Sequence, residues 1–143
     1  MSFPLEYRVK QDVKEYEILT VIGEGNFCTV HSALHVKSGK RCAIKSYEKS
    51  RISRMKKFED VIMEKHVLLR LKHSHIVRLI DTFTDTDFAY VVTELCQDGE
   101  LWDVCKRSGE PERRAKRYIL QLFEAIEYMH RSGIAHRDLK GNF

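Results

Sequence analysis

The chain has 143 residues, of which 43% are hydrophobic and 32% are charged, and its net charge is +4. This length and mixture predict a soluble globular protein with a genuine core. Because positive and negative charges are interspersed, the composition argues against nucleic acid as a partner. No apolar run is long enough for a signal peptide or a transmembrane segment, so we expect a cytoplasmic location.

The cysteines predict free thiols. Cys28, Cys42, Cys96 and Cys105 are spaced too widely for a CxxC metal site. A reducing compartment also argues against a disulfide framework. We therefore expect neither disulfides nor a metal site in this chain.

Five segments have the pattern of β-strands. After an extension covering residues 1–15, the segments YEILTVIG, CTVHSALH and RCAIKSY are separated by a glycine-containing turn and by the polar turn KSGK. Gly39 in the second turn can take a positive φ at little cost. Two further apolar segments, HIVRLIDTF and FAYVVTELC, are joined by the polar turn TDTD. Short connections of this kind predict antiparallel pairing.

Helical patterns lie between and after these strands. KFEDVIMEKHVLLRL has its apolar residues near helical spacing, namely Phe58, Val61, Met63, Val67, Leu68 and Leu71. The basic stretches Lys49–Lys57 and Arg113–Arg117 are predicted to be solvated faces of helices. After Gly99 we predict a short helix, GELWDVCKR, and a longer helix from Pro111 to His130 that ends near Gly133. The predicted buried stripe of the longer helix is Ala115, Ile119, Leu122, Ile126 and Met129. The predicted fold class is therefore α+β, a five-stranded antiparallel sheet with one packed helix, followed by helices.

The first segment with chemical potential is IGEGNFCTV, residues 22–30. Gly23 and Gly25 permit a tight turn whose backbone amides can approach phosphate oxygens. An ordinary hairpin turn is the alternative for two glycines taken alone. A dinucleotide-binding fingerprint is excluded, because it requires a third glycine and a helix directly afterwards. Here Cys28 occupies the third position, and a strand follows.

The second signal is Lys45, which lies on an apolar strand. A buried ammonium group needs a partner, and Glu64, bracketed by apolar residues on the predicted helix, is the candidate. The alternatives are a lysine that reaches solvent at a strand end and an exposed helix carboxylate. Pairing the two residues accounts for both charges together.

The third signal is the pentapeptide His136-Arg137-Asp138-Leu139-Lys140. Together with the glycine turn, Lys45 and Glu64, in this order and spacing, it resembles the catalytic domain of eukaryotic-type protein kinases. The resemblance extends from Tyr16 to Lys140. It implies an ATP-binding N-lobe at residues 16–95, followed by the hinge and the start of a helical C-lobe at residues 96–143.

The resemblance also implies roles for individual residues. Lys45, held by Glu64, would bind the α- and β-phosphates of ATP beneath the glycine loop. Asp138 would orient the substrate hydroxyl, and Lys140 would neutralise the transferring phosphate, as is typical of serine/threonine kinases. The implied nucleotide-binding residues are Ile22, Gly23, Glu24, Gly25, Val30, Ala43, Lys45, Glu64, Thr93, Glu94, Cys96 and Glu100. The implied function is ATP-dependent phosphoryl transfer to a protein hydroxyl.

The sequence departs from the kinase pattern after Asp138. The expected asparagine five residues later is Phe143, with Asn142 one place early. The ligands for the Mg²⁺ that a full-length enzyme would use are absent from the chain, so we expect negligible kinase activity from this polypeptide. The long helix of the family packs inside a helical lobe that is also absent here, so we expect partial exposure of its apolar stripe. The alternatives are a catalytically inactive kinase-like binding or regulatory module and an unrelated α+β domain with coincidental motifs.

Two segments indicate a subgroup. IKSYEKSRI and DGELW resemble the phosphoinositide-dependent and wider basophilic kinases, and calcium/calmodulin-dependent kinases share much of this pattern. Besides ATP and a protein substrate, this implies a third partner. A hydrophobic, phenylalanine-containing tail would dock in a groove between Lys49–Ile52 and the helix that carries Glu64.

Overall fold

The computed structural model describes residues 12–101, 106 and 112–140. Most of the predicted N-terminal extension, most of the predicted helix GELWDVCKR, Pro111 and the last three residues lie outside the described residues. The chain divides into two compact units. The first contains the residues up to Lys65 and Leu79–Leu95, and the second contains His66–Arg78 and the residues from Cys96 onward.

The first unit contains a five-stranded antiparallel sheet with the strand order β1-β2-β3-β5-β4. The strands are β1 (Tyr16–Glu24), β2 (Cys28–His35), β3 (Lys40–Glu48), β4 (Leu79–Thr84) and β5 (Phe88–Glu94). Each segment predicted to be a strand forms one, and the α+β fold class is confirmed. Gly39 has φ of +64° in the turn between β2 and β3, as its position predicted.

A cluster of buried core residues lies on one face of the sheet. It is formed by the buried side chains of Tyr16, Ala33, Cys42, Ile44, Phe83 and Val92. Aromatic rings pack within it, and the ring centroids of Tyr16 and Phe83 are 5.7 Å apart. Because strand side chains alternate between faces, residues 43, 45 and 47 of β3 project to the opposite face.

Two carboxylates in and after β4 have opposite environments. Burial is the main reason that the pKa of Asp81 is raised above its ordinary value. For Asp85, slight burial acts in the same direction, but hydrogen bonds outweigh it and lower the pKa. Asp85 Oδ1 accepts from the N–H groups of Asp87 at 2.8 Å and Phe88 at 2.7 Å. The hydroxyl of Tyr90 donates to Oδ2 at 2.7 Å, so Asp85 closes the turn between β4 and β5.

Two helices follow β3. The first, α1 (Lys49–Arg54), presents basic residues to solvent and buries Ile52 completely, as the solvated-face prediction for this stretch implied. The second, α2 (Phe58–Arg70), confirms the amphipathic helix and buries Val61. Met63, one of the apolar residues near helical spacing, is nevertheless 62% exposed. Two residues correspond to about 200° of rotation, which places Met63 on the side opposite Val61.

The second unit contains the long helix α3 (Glu112–Arg131), which ends before Gly133 with φ of +72°. Ala125 and Met129 are buried in its C-terminal half. There the side chain of Tyr128 accepts from the Lys72 N–H at 3.1 Å and stacks on His73 at 5.1 Å.

The predicted buried stripe of α3 is wrong for two of its residues. Ile119 is 51% exposed and Leu122 is 44% exposed. Ala115 and Ile126 are half-buried and Met129 is buried, so the stripe is only partly covered. The partial exposure of this apolar stripe agrees with the sequence-based expectation. Among the described helices, none is long and apolar enough to cross a membrane.

Candidate functional site

The strand register aligns three of the predicted site residues. Gly23 of β1 pairs with Val30 of β2, and Val30 pairs with Lys45 of β3. Lys45 in turn pairs with Val91 of β5. Directly opposed residues of antiparallel strands project to the same face of the sheet. The glycine-containing turn and the lysine therefore meet on one face, opposite the core cluster.

A second row on this face contains two more predicted residues. Ala43, two residues before Lys45, pairs with Thr93 of β5. Val30, Ala43 and Thr93 are all half-buried. Val30 and Ala43 form a small apolar surface beside Lys45, bordered by Thr93, where a flat aromatic group could lie.

The predicted ion pair between Lys45 and Glu64 is present. Lys45 Nζ donates to Glu64 Oε1 at 2.9 Å and to Oε2 at 3.1 Å. The side chains are 31% and 35% exposed, respectively, so this is a partly solvated pair that a ligand can reach. Its contribution to stability is small because water screens it. Because the pair lies on the face that contains the glycine turn, it is a candidate for ligand binding.

Tyr47 completes this group, and sequence reasoning did not identify it. Its hydroxyl donates to Glu64 Oε2 at 2.6 Å, and Lys45 Nζ lies 5.2 Å from the centroid of its ring. Its side chain is fully buried. Burial raises the pKa of the Tyr47 hydroxyl far above its ordinary value, and the charge of Glu64 and the hydrogen bond to it add to this effect. The available signal was strand alternation, which places Tyr47 on the same face as Lys45.

The glycine turn is tight at Gly25. Its N–H donates to the Cys28 carbonyl at 2.8 Å, and a Cβ at residue 25 would lie 2.9 Å from Cys28 Sγ. A Cβ at Gly23 would lie 3.7 Å from Val30, which is an ordinary contact distance. Phe27 at the tip of the turn stacks on Tyr47, with ring centroids 6.2 Å apart. The turn is thus packed onto the same group that contains Lys45.

The remaining predicted nucleotide-binding residues are distributed over both units. Ile22 is 51% exposed at an irregularity in the pairing of β1 with β2, and Glu24 at the end of β1 is also exposed. Glu94 ends β5 in the first unit. Cys96 and Glu100 belong to the second unit and are exposed. Their contribution to a common site stays a prediction.

The predicted catalytic residues Asp138 and Lys140 lie in the second unit, where they form an ion pair. Lys140 Nζ lies 3.3 Å from Asp138 Oδ2, and the Asp138 side chain is 73% exposed. The Asp138 N–H donates to Nδ1 of His136 at 3.3 Å. Arg137 between them has φ of +66°, an uncommon backbone conformation for a residue with a side chain. The segment is therefore a sharply bent loop that presents both charged groups to solvent.

The face around Lys45 fits a nucleotide better than a metal ion. It combines an accessible ammonium group, a glycine turn with backbone amides, and a half-buried apolar surface. Among the described residues, no three His, Cys, Asp or Glu side chains are grouped as metal ligands would be. Cys28, Cys42 and Cys96 are free thiols, as predicted; Cys105 lies outside the described residues.

Comparison with known proteins is consistent with this geometry. The sequence profile of the protein kinase domain matches residues 16–142. A probable myosin light chain kinase from Dictyostelium discoideum is 38% identical over 128 residues, which are 87% of this chain and 32% of that protein. The serine/threonine-protein kinase PLK4 from Danio rerio is 33% identical over 129 residues, or 89% of this chain and 14% of that protein.

A plant relative shows the same extent of similarity. CBL-interacting protein kinase 32 from Oryza sativa subsp. japonica is 35% identical over 134 residues, which are 93% of this chain and 31% of that protein. The chain thus spans about a third or less of the length of these relatives. The relatives bear several different kinase names, and the subgroup stays a prediction. Because the profile covers the glycine turn, Lys45, Glu64 and the Asp138 loop, we conclude that the chain belongs to the eukaryotic-type protein kinase family.

Proposed function

We propose that this chain forms the ATP-binding part of a serine/threonine protein kinase, which transfers phosphate from ATP to a protein hydroxyl. The observation that carries the proposal is the contact of Lys45 with both oxygens of Glu64 on the face that contains the glycine turn. In this proposal residues 16–95 correspond to the N-lobe, and residues 96–143 to the hinge and the beginning of the C-lobe.

Lys45 would hold the α- and β-phosphates of ATP. Glu64 already holds the ammonium group of Lys45 in place. The lysine side chain therefore loses little freedom when the nucleotide binds. The backbone of the turn between Gly23 and Cys28 would cover the phosphates. Val30 and Ala43 offer the apolar surface against which the adenine would stack, and Thr93 borders it.

Asp138 and Lys140 would act on the second substrate. Phosphoryl transfer depends mainly on positioning and on neutralising the charge of the phosphate oxygens. An ionised Asp138 can accept the proton of the attacking hydroxyl, and Lys140 can neutralise a phosphate oxygen. Mg²⁺, when bound with ATP in protein kinases, supplies further positive charge at the phosphates.

Nucleotide binding by the 143-residue chain tests the proposal. We expect saturable ATP binding by calorimetry, weakened at least about tenfold by Lys45→Met, since a charge-assisted contact to phosphate is lost. Lys40→Met is the matched control because Lys40 begins the same strand and is exposed. The proposal fails if the two variants bind ATP equally well, or if the native chain does not bind it.

Two finer proposals follow from the family resemblance. A groove between Lys49–Ile52 and α2 would dock a phenylalanine-containing hydrophobic tail. Ile52 is fully buried and unavailable to a partner, whereas Met63 is 62% exposed on α2. Binding of a tail peptide that is unaffected by Met63→Asp would contradict docking at this surface.

We also propose a cytoplasmic location, which imaging of a fluorescent fusion would test.

A further inference from the structure

Tyr47 touches each component of the candidate phosphate-binding group. Its hydroxyl contacts Glu64, its ring lies beneath the ammonium group of Lys45, and the same ring stacks on Phe27 of the glycine turn. It lies on β3, two residues beyond Lys45, with its side chain fully buried. Phosphate binding by Lys45 and proton transfer by Asp138 do not involve this residue directly.

The hydrogen bonds of Glu64 indicate which neighbour positions it. Its Oε2 accepts from the Tyr47 hydroxyl at 2.6 Å and from Lys45 Nζ at 3.1 Å. A short O–H···O⁻ bond of this length is among the stronger hydrogen bonds in proteins. Tyr47 has two side-chain torsions and is enclosed by the protein, whereas the Lys45 side chain is flexible and 31% exposed. The hydroxyl of Tyr47 therefore holds the carboxylate of Glu64 in place, and the carboxylate in turn orients Lys45.

We propose that Tyr47 is a positioning residue that holds Glu64, and through it Lys45, in the phosphate-binding geometry and that links this geometry to the glycine turn through Phe27. The inference rests on the proposed role of Lys45 and adds a third member to its ion pair. Burial and the negative charge of Glu64 raise the pKa of Tyr47, so its hydroxyl stays protonated and donates at physiological pH.

The test compares Tyr47→Phe with Tyr90→Phe. The Tyr90 hydroxyl also donates to a carboxylate, that of Asp85 at 2.7 Å, but at the turn between β4 and β5. Two properties of the 143-residue chain are measured. One is the Kd for ATP. The other is the rate at which acetic anhydride acylates Lys45. Peptide mass spectrometry measures this rate, with Lys40 as the internal reference. The second measurement needs no nucleotide.

We expect Tyr47→Phe to raise the Kd for ATP about threefold to tenfold, the size of effect that a typical hydrogen bond has, because Tyr47 acts on the nucleotide only through Glu64 and Lys45. Lys45, less firmly held, is acylated faster by about threefold or more. Tyr90→Phe leaves both values unchanged. We expect Tyr47→Phe to fold, because phenylalanine keeps the ring and its contacts. Circular dichroism confirms the folded state.

The outcomes separate this inference from the proposed function. An unchanged Lys45 acylation rate in Tyr47→Phe overturns the positioning role, even if Lys45→Met abolishes ATP binding. Faster acylation of Lys45 in Tyr47→Phe, together with a native chain that binds no ATP, supports the positioning of Lys45 and refutes the proposed function instead. Phe27→Leu removes the stacked ring but keeps the Tyr47 hydroxyl. If it leaves both the Kd and the acylation rate at native values, the link to the glycine turn is wrong.

Discussion

The two glycines of the turn between β1 and β2 should respond differently to alanine. A Cβ at Gly25 meets Cys28 Sγ at 2.9 Å, closer than real side chains approach, whereas a Cβ at Gly23 meets Val30 at 3.7 Å. Gly25→Ala must either move the thiol away from its preferred rotamer or loosen the hydrogen bond from the Gly25 N–H to the Cys28 carbonyl. Each route costs about 1 kcal/mol.

Alanine also stabilises by restricting the unfolded chain, by about 0.4–1 kcal/mol, but this gain is common to both substitutions. The difference between them isolates the contact. Gly25→Ala is therefore expected to be less stable than Gly23→Ala by about 1 kcal/mol, measured as the free energy of unfolding in urea.

A double-mutant cycle identifies the atom responsible. Cys28→Ala removes Sγ, so adding it to Gly25→Ala should restore about 1 kcal/mol relative to the sum of the two single changes. The same Cys28→Ala change combined with Gly23→Ala should be additive. Equal stabilities for Gly23→Ala and Gly25→Ala, or an additive cycle between residues 25 and 28, would refute the contact as the cause.

Three further predictions concern the sheet. Ile44→Ala should lower the free energy of unfolding by about 3 kcal/mol because Ile44 is fully buried, and Ile80→Ala, at a site 47% exposed, by less than about 1 kcal/mol; similar losses would contradict the assignment of the core face. For Asp81, the raised pKa makes ionisation costly in the folded state, so stability is lost as the pH rises through that pKa. Asp81→Asn should therefore gain stability relative to the native chain as the pH rises above the ordinary carboxyl value of 3.8 in a series of thermal melts, and a constant difference would argue against it. Asp85, with a lowered pKa, stabilises the fold above the ordinary carboxyl value of 3.8 and loses this effect as the pH falls through its folded value. Asp85→Asn should thus lose stability relative to the native chain as the pH rises, and a gain in the same melts would contradict the sign.

Local pattern was sufficient for much of the fold. Alternating apolar residues identified all five strands, and helical spacing identified α2. Gly39 and Gly133 were correctly expected at a turn and after a helix, because positive φ is a property of the single residue. The pairing of Lys45 with Glu64 could also be predicted, since two charges in apolar surroundings favour each other as partners.

Other features depended on how the elements pack. Met63 is an apolar residue of the kind usually buried, but α2 packs with the side that carries Val61, and Met63 on the other side is exposed. Ile119 and Leu122 have a regular apolar spacing, yet their burial depends on what covers the helix face, which periodicity does not specify. A hydrophobic pattern indicates which residues can be buried, and packing decides which of them are.

Tyr47 shows this limit most clearly. Strand alternation placed it on the face of Lys45, where a buried tyrosine is ordinarily a core residue. Its hydroxyl became part of the site only because α2 crosses that face and brings Glu64, 17 residues away in sequence, within 2.6 Å. Residue type and spacing were enough to predict the elements, the kinase motifs and the charged pair. Which neutral side chain supports that pair depends on how the chain packs, because a hydrogen bond requires a distance that no sequence pattern contains.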